Sequence, residues 1–127
     1  MIKETIICIV IVIMIFTLDV VTQKYTEKSV ETMTTLLSNL KTEISKQDIE
    51  SAKTKIQEID DNWHNMHDKL AYYIEHDELE KVDSAIIQMN SYVESKDFSS
   101  AMAQLEEGKF VLEHIQEKTA FNLKNIF

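Results

Sequence analysis

The chain contains no arginine and no proline, one glycine (Gly108) and one cysteine (Cys8). Each shortage closes off a class of answers. Arginine supplies the rigid donor fork that phosphates and base edges select. From position 23 onward twelve lysines face twenty acidic residues, so nucleic acid is set aside as a partner. Without proline and with a single glycine, the chain lacks the punctuation that strands and hairpins require. One cysteine allows no internal disulfide. Cys8 lies within an apolar run, where it reads as a small apolar side chain.

That run is the first thing present in quantity. Thr5 to Leu18, TIICIVIVIMIFTL, carries no charge, Val20 and Val21 prolong it past Asp19, and Lys3 precedes it. Together these approach the roughly 20 residues of a membrane-crossing helix, with Lys3 able to snorkel toward headgroups. The sequence Asp19-Val-Val-Thr-Gln-Lys24 lacks the small-x-small pattern of a signal-peptidase site. Residues 1–22 are therefore expected to form an uncleaved signal anchor, and residues 23–127 a domain outside the cytoplasm. Lys3 and the terminal amine favour a cytoplasmic N-terminus, while Glu4, Lys24 and Lys28 weaken that bias.

Beyond the anchor, apolar residues recur at alternating steps of three and four, the helical period. One stripe is Val30, Met33, Leu37, Leu40 and Ile44; after Ser45-Lys46-Gln47-Asp48 a second runs Ile49, Ala52, Ile56, Ile59, Trp63, Met66, Leu70 and Tyr73. The third, after Glu75-His76-Asp77, is Leu79, Val82, Ile86, Met89 and Val93. The fourth is Phe98, Ala101, Leu105, Gly108, Leu112, Ile115, Thr119, Asn122 and Ile126, its seam expected to shift to Phe121, Leu123 and Phe127 as it turns polar. Asp77, with Glu80 three residues on, and Asp97 are the candidate N-caps. The predicted fold is all-α: an N-terminal transmembrane helix followed by an antiparallel four-helix bundle, since short connections make successive helices antiparallel. A strict 3–4 stripe also fits a coiled coil, which keeps a homodimer open.

A shift of forty-nine residues lays Asp48-Ile-Glu-Ser-Ala52 over Asp97-Phe-Ser-Ser-Ala101, pointing to two duplicated helical hairpins; the Trp-Leu-Gly-Tyr signature of tetratricopeptide repeats is missing. The same shift sets Gly108 opposite Ile59, one turn before Trp63. It predicts that Gly108, costing about 1 kcal/mol inside a helix, opens room for the Trp63 indole.

The stretch Trp63-His64-Asn65-Met66-His67 concentrates the unusual side chains. The seam takes Trp63 and Met66 into the core and leaves His64 and His67 on its flanks. Three apart on a helix, they can face one ion, with Asp68, Asp60 or Asp61 supplying oxygen. No HExxH motif or cysteine set completes such a site, so two half-exposed histidines are the simpler reading. The acidic cluster around His76, from Glu75 to Asp83, is ascribed to the positive end of a helix dipole. It lacks the glycine-containing loop of an EF-hand. No nucleophile elbow, phosphate-cradling loop or catalytic cysteine is present. No enzyme activity and no cofactor are expected.

The anchor, the block WHNMHDKLAYYIEHDELEKVD from Trp63 to Asp83 and the terminal LKNIF from Leu123 to Phe127 resemble an uncharacterised bacterial family of short membrane-anchored helical proteins, domain of unknown function 4363. The resemblance implies a bacterial cell-surface location and, from the company such proteins keep, a multi-pass membrane partner. It supplies no catalytic residues. The leading expectation is an accessory or interaction protein of the cell envelope. Its rivals are a ligand-sensing bundle and a metal- or proton-responsive module built on His64, His67 and His76, each acting through a partner membrane protein.

Overall fold

Apolar spacing of three and four buries one stripe per helix, and here each stripe finds two neighbours. The computed structural model describes residues 1–126, with side chains through Phe121. Its helices are α1 (Ile2–Ser45), α2 (Ile49–Leu70), α3 (His76–Glu94) and α4 (Phe98–Ile126), and no strand occurs among the described residues. Each helix packs on its chain neighbours, and α4 closes the ring against α1. The core is the set the stripes define, from Val30 to Ile44 on α1 through Ala52, Ile56, Ile59 and Trp63 on α2 to Leu105, Leu112 and Ile115 on α4.

The apolar segment and the first bundle helix are one element. With no proline or glycine between Ile2 and Ser45, nothing interrupts the ladder of α1, which at about 1.5 Å per residue is roughly 66 Å long. Its first half is long and apolar enough to cross a membrane, and no part of that apolar window is covered by the rest of the chain. From Thr26 onward one face turns inward, with Thr26, Ser29, Val30 and Met33 all buried.

The α1–α2 and α3–α4 turns, at the end of the bundle away from the apolar segment, share one construction. Gln47 and Lys96 take left-handed conformations, with φ of 58° and 62°. In the first turn Gln47 N–H donates to the Ile44 carbonyl and Asp48 N–H to that of Glu43; in the second Lys96 donates to Val93 and Asp97 to Tyr92. This is the Schellman pattern. Each turn then feeds an aspartate cap: Ser51 N–H donates to Asp48 Oδ1, and Ser100 N–H to Asp97 Oδ1, both at 3.1 Å. The likeness at a spacing of forty-nine thus extends from sequence to backbone conformation.

Four expectations need correction. Asp77 is not the cap of α3: the helix starts at His76, with Glu75 at the cap position and no side-chain cap bond, so Asp77 sits in the first turn. Glu80, its expected capping-box partner, instead meets His76 Nε2 at 2.8 Å. Second, α2 stops at Leu70, which places Tyr73 in the turn and 37% exposed instead of on the core seam. Third, Gly108 faces α3 and not Trp63: a Cβ added there would lie 3.4 Å from the Ala85 Cβ. The glycine permits close approach of α3 and α4, while the indole is buried between α2 and α3. The expected drift of the α4 seam also fails at Phe121, which is 60% exposed. The Gly108–Ala85 and Lys118–Glu75 contacts set the α3–α4 register and leave Phe121 one turn beyond the start of α3, without that neighbour. Val111 is buried beside Leu112 instead. Phe127 lies outside the described residues, as do the side chains of Asn122, Leu123 and Ile126.

Candidate functional site

Two places concentrate polar chemistry. The first is a cleft of about 460 Å³ between α2 and α3, lined by Asp60, Trp63, His64, His67, Asp68, Asp83 and Ile87. Trp63 reaches it because the stripe of α2 turns the indole into the core while its N–H stays at the edge, and that N–H donates to Asp83 Oδ1. The other carboxylate oxygen of Asp83 lies 3.6 Å from His67 Nε2. The imidazole of His67 meets the indole edge-on, ring centres 5.8 Å apart. Asp83 on α3 therefore joins two side chains of α2, and protonation of His67 turns one of those contacts into an ion pair.

The three metal candidates do not converge. His64 points outward, with its Nδ1 3.9 Å from Asp60 Oδ1. Asp68 is almost wholly exposed and touches His67 only through Nδ1, at 3.7 Å. His64 and His67 share one wall of the cleft without a common third ligand, and no group of three or more His, Cys, Asp or Glu side chains able to hold a metal ion occurs among the described residues. His76 is exposed and engaged with Glu80.

The second place is the α2–α3 turn, where it meets α1 just past the apolar run. The Tyr73 hydroxyl lies 2.7 Å from Thr26 Oγ1 and 3.1 Å from the carbonyl of Thr22, to which Thr26 Oγ1 can also donate at 2.8 Å. Two hydroxyl protons serve three edges of a triangle, so the phenol is held whichever edge is vacant. Burial raises the Tyr73 pKa above its ordinary value of 10.0, the Thr26 hydrogen bond opposing it in part. Nearby, Lys69 Nζ stands 5.6 Å over the Tyr25 ring, and Lys118 pairs with Glu75 at 3.0 Å. Such exposed pairs contribute little stability. They bring α1, α2, α4 and the turn together at one level.

Sequence reasoning missed Asp83 and the Tyr73–Thr26–Thr22 triangle. Asp83 carried a signal: it lies seven residues past the start of α3, beyond the single turn over which a helix dipole acts, so the dipole to which it was ascribed does not account for it. The triangle spans 47 positions from Thr26 to Tyr73, and no local pattern encodes a contact of that separation.

Residues 20–126 match the model of a family described as a domain of unknown function, DUF4363. The matched span opens at Val20, next to the last residue of the apolar run, and takes in the whole bundle. No curated protein matches the chain, and no solved structure does.

Proposed function

The chain belongs to the DUF4363 family, and from that premise we propose that it is a single-pass, membrane-anchored interaction or accessory protein of the bacterial cell envelope. Its bundle lies outside the cytoplasm, and its work is binding another envelope or multi-pass membrane protein, with no catalysis of its own. One observation carries this reading: an uncovered apolar segment continues without a break into the packed face of the bundle. A segment bare of protein contacts needs another apolar surrounding, and a bilayer is one that fits its length. Residues 1–22 are then the anchor and residues 23–127 the presented domain.

Two large apolar side chains on the flanks of the bundle, Ile87 and Phe110, are 69% and 66% exposed. A photo-crosslinking residue placed at each in the full-length chain, in native membranes, is expected to give a discrete adduct with another membrane protein. Adducts of the chain only with itself would mark a homodimer instead. Absence of adducts, together with release of the chain from vesicles by alkaline carbonate, would overturn the proposal.

A second reading, a ligand- or proton-responsive bundle acting through a partner membrane protein, draws on the cleft and the Trp63–Asp83–His67 chain. Its metal form, on His64, His67 and Asp68, is tested by melting the detergent-solubilised chain with zinc or calcium. A site filled at a hundred times its dissociation constant raises stability by about 2.7 kcal/mol. An unchanged melt removes that form.

A further inference from the structure

We infer that the end of the bundle nearest the apolar segment is seated in the headgroup layer of the bilayer that α1 crosses, with Tyr72 and Phe121 as its interfacial anchors. The inference rests on the membrane-spanning reading of α1 and adds to it a second, peripheral contact made by the bundle itself.

The level of that contact follows from hydrogen bonds. Tyr73 reaches the carbonyl of Thr22, the residue immediately after Val21, which closes the apolar run. The tip of the Tyr73 side chain therefore stands within about one helical turn, roughly 5 Å, of the end of that run. Tyr72, the preceding residue in the turn, is 90% exposed. On α4, the Lys41–Glu106 pair fixes the register against α1, and moving the same number of residues along both antiparallel helices brings exposed Phe121 level with Thr26. Two exposed rings from separate elements thus lie within about 8 Å, five residues along α1, of the level at which the apolar run ends. Tryptophan and tyrosine concentrate at that boundary in membrane proteins because they join an apolar body to a polar tip, as Tyr72 does, while Phe121 adds apolar area alone.

The opposite end gives the internal comparison. Its turns, Lys46-Gln47-Asp48 and Ser95-Lys96-Asp97, are exposed and wholly polar. No far-end turn residue is aromatic, and the rings that flank the second of these turns, Tyr92 and Phe98, are packed partly against the core, whereas Tyr72 at the near end stands free of it. Ile87 and Phe110 lie on the sides of the bundle, clear of this level.

The test uses nitroxide labels on the full-length chain in phosphatidylcholine vesicles, comparing accessibility to oxygen with accessibility to a water-soluble nickel chelate. Three single-cysteine forms are needed: the native chain labelled at Cys8, and Cys8→Ser chains carrying Ala71→Cys or Ser95→Cys, both at exposed positions. Cys8 is expected to read as lipid-buried, residue 95 as aqueous, and residue 71 as interfacial, with an oxygen-to-nickel ratio several-fold above that at residue 95. Adding Tyr72→Ser and Phe121→Ser to the residue 71 form is expected to bring its ratio down to that of residue 95 while helicity is unchanged. A buried Cys8 with equal readings at 71 and 95 overturns the seating and leaves the span intact. An aqueous Cys8 overturns the span and the seating with it. A residue 71 reading that ignores the double serine change removes Tyr72 and Phe121 as the anchors.

Discussion

At the end of the bundle far from the apolar segment the chain reverses twice through one design: a left-handed residue, crossed carbonyl contacts and an aspartate that caps the next helix. At the near end it reverses once, through Tyr72-Tyr73-Ile74, with no left-handed residue and no side-chain cap. The far turns are closed by their own residues, so each is a local event. The near turn has local backbone bonds too, from Tyr73 and Ile74 to the Leu70 carbonyl, but its side-chain tie is to α1, through the hydroxyl of Tyr73 on Thr22 and Thr26. A reversal specified locally can occur twice in one chain, as this one does; a reversal tied to a distant helix belongs to one place only.

The largest effect that bears on this contrast comes from the core layers behind each set of turns. Leu70→Ala near and Ile44→Ala far, both fully buried positions, are each expected to cost about 2–5 kcal/mol in denaturant unfolding of the solubilised chain. A cost below about 1 kcal/mol at Leu70 alone would mean that the near end is not closed by packing. Next come the caps. Asp48→Ala and Asp97→Ala are expected to cost about 1 kcal/mol each, against about 0.5 kcal/mol for Asp77→Ala, which loses only a favourable place in the dipole; three equal losses would put Asp77 back at the cap.

Smaller, and opposite in sign, are the changes Gln47→Gly and Lys96→Gly. Each removes a side chain from a left-handed conformation and is expected to raise stability by up to about 1 kcal/mol, with similar midpoint shifts if the two turns are equivalent. The smallest effects are in the dependence on pH. The Ser100 side chain and amide hold the Asp97 pKa below its ordinary 3.8, so its contribution is present above that value and fades as pH falls through and below it. Tyr73 is shifted upward by burial, so its contribution is complete below about pH 10 and fades as pH rises beyond it. Asp97→Ala should flatten the acid limb of a stability profile, and Tyr73→Phe the alkaline limb; exchange of those two outcomes would contradict the assignment of the ends.

What the sequence made legible was whatever repeats on a short period. Val30 to Ile44 and Leu79 to Val93 are core residues throughout, because an alternation of three and four permits no other buried face. Asp97 was legible because a cap acts on amides within its own turn. Asp77 was misread for a related reason: the same local rule applies at several acidic residues in succession, and the length of the Tyr73 turn, set from α1, decides which one stands at the helix start. Gly108 illustrates the limit. A repeat of seven heptads aligns residues along the chain but does not say which neighbour a helix face meets, and Ala85 was chosen by the ring order of the bundle. The site at Trp63 was half legible. Its ring and His67 were singled out, but Asp83, which joins them across two helices, comes from twenty residues further on.

An α-helix advances about 100° per residue, and α1 contains no joint across its 44 residues. The orientation of its buried half therefore sets the compass bearing of every side chain in its bare half. Counting back from Thr26 by whole turns, Asp19, Ile15, Val12 and Cys8 share the bearing of the bundle core, and Asp19 is already half-covered there. Any twist applied to the head about that axle is delivered undiminished to the foot, so the faces presented by the two halves cannot be adjusted independently.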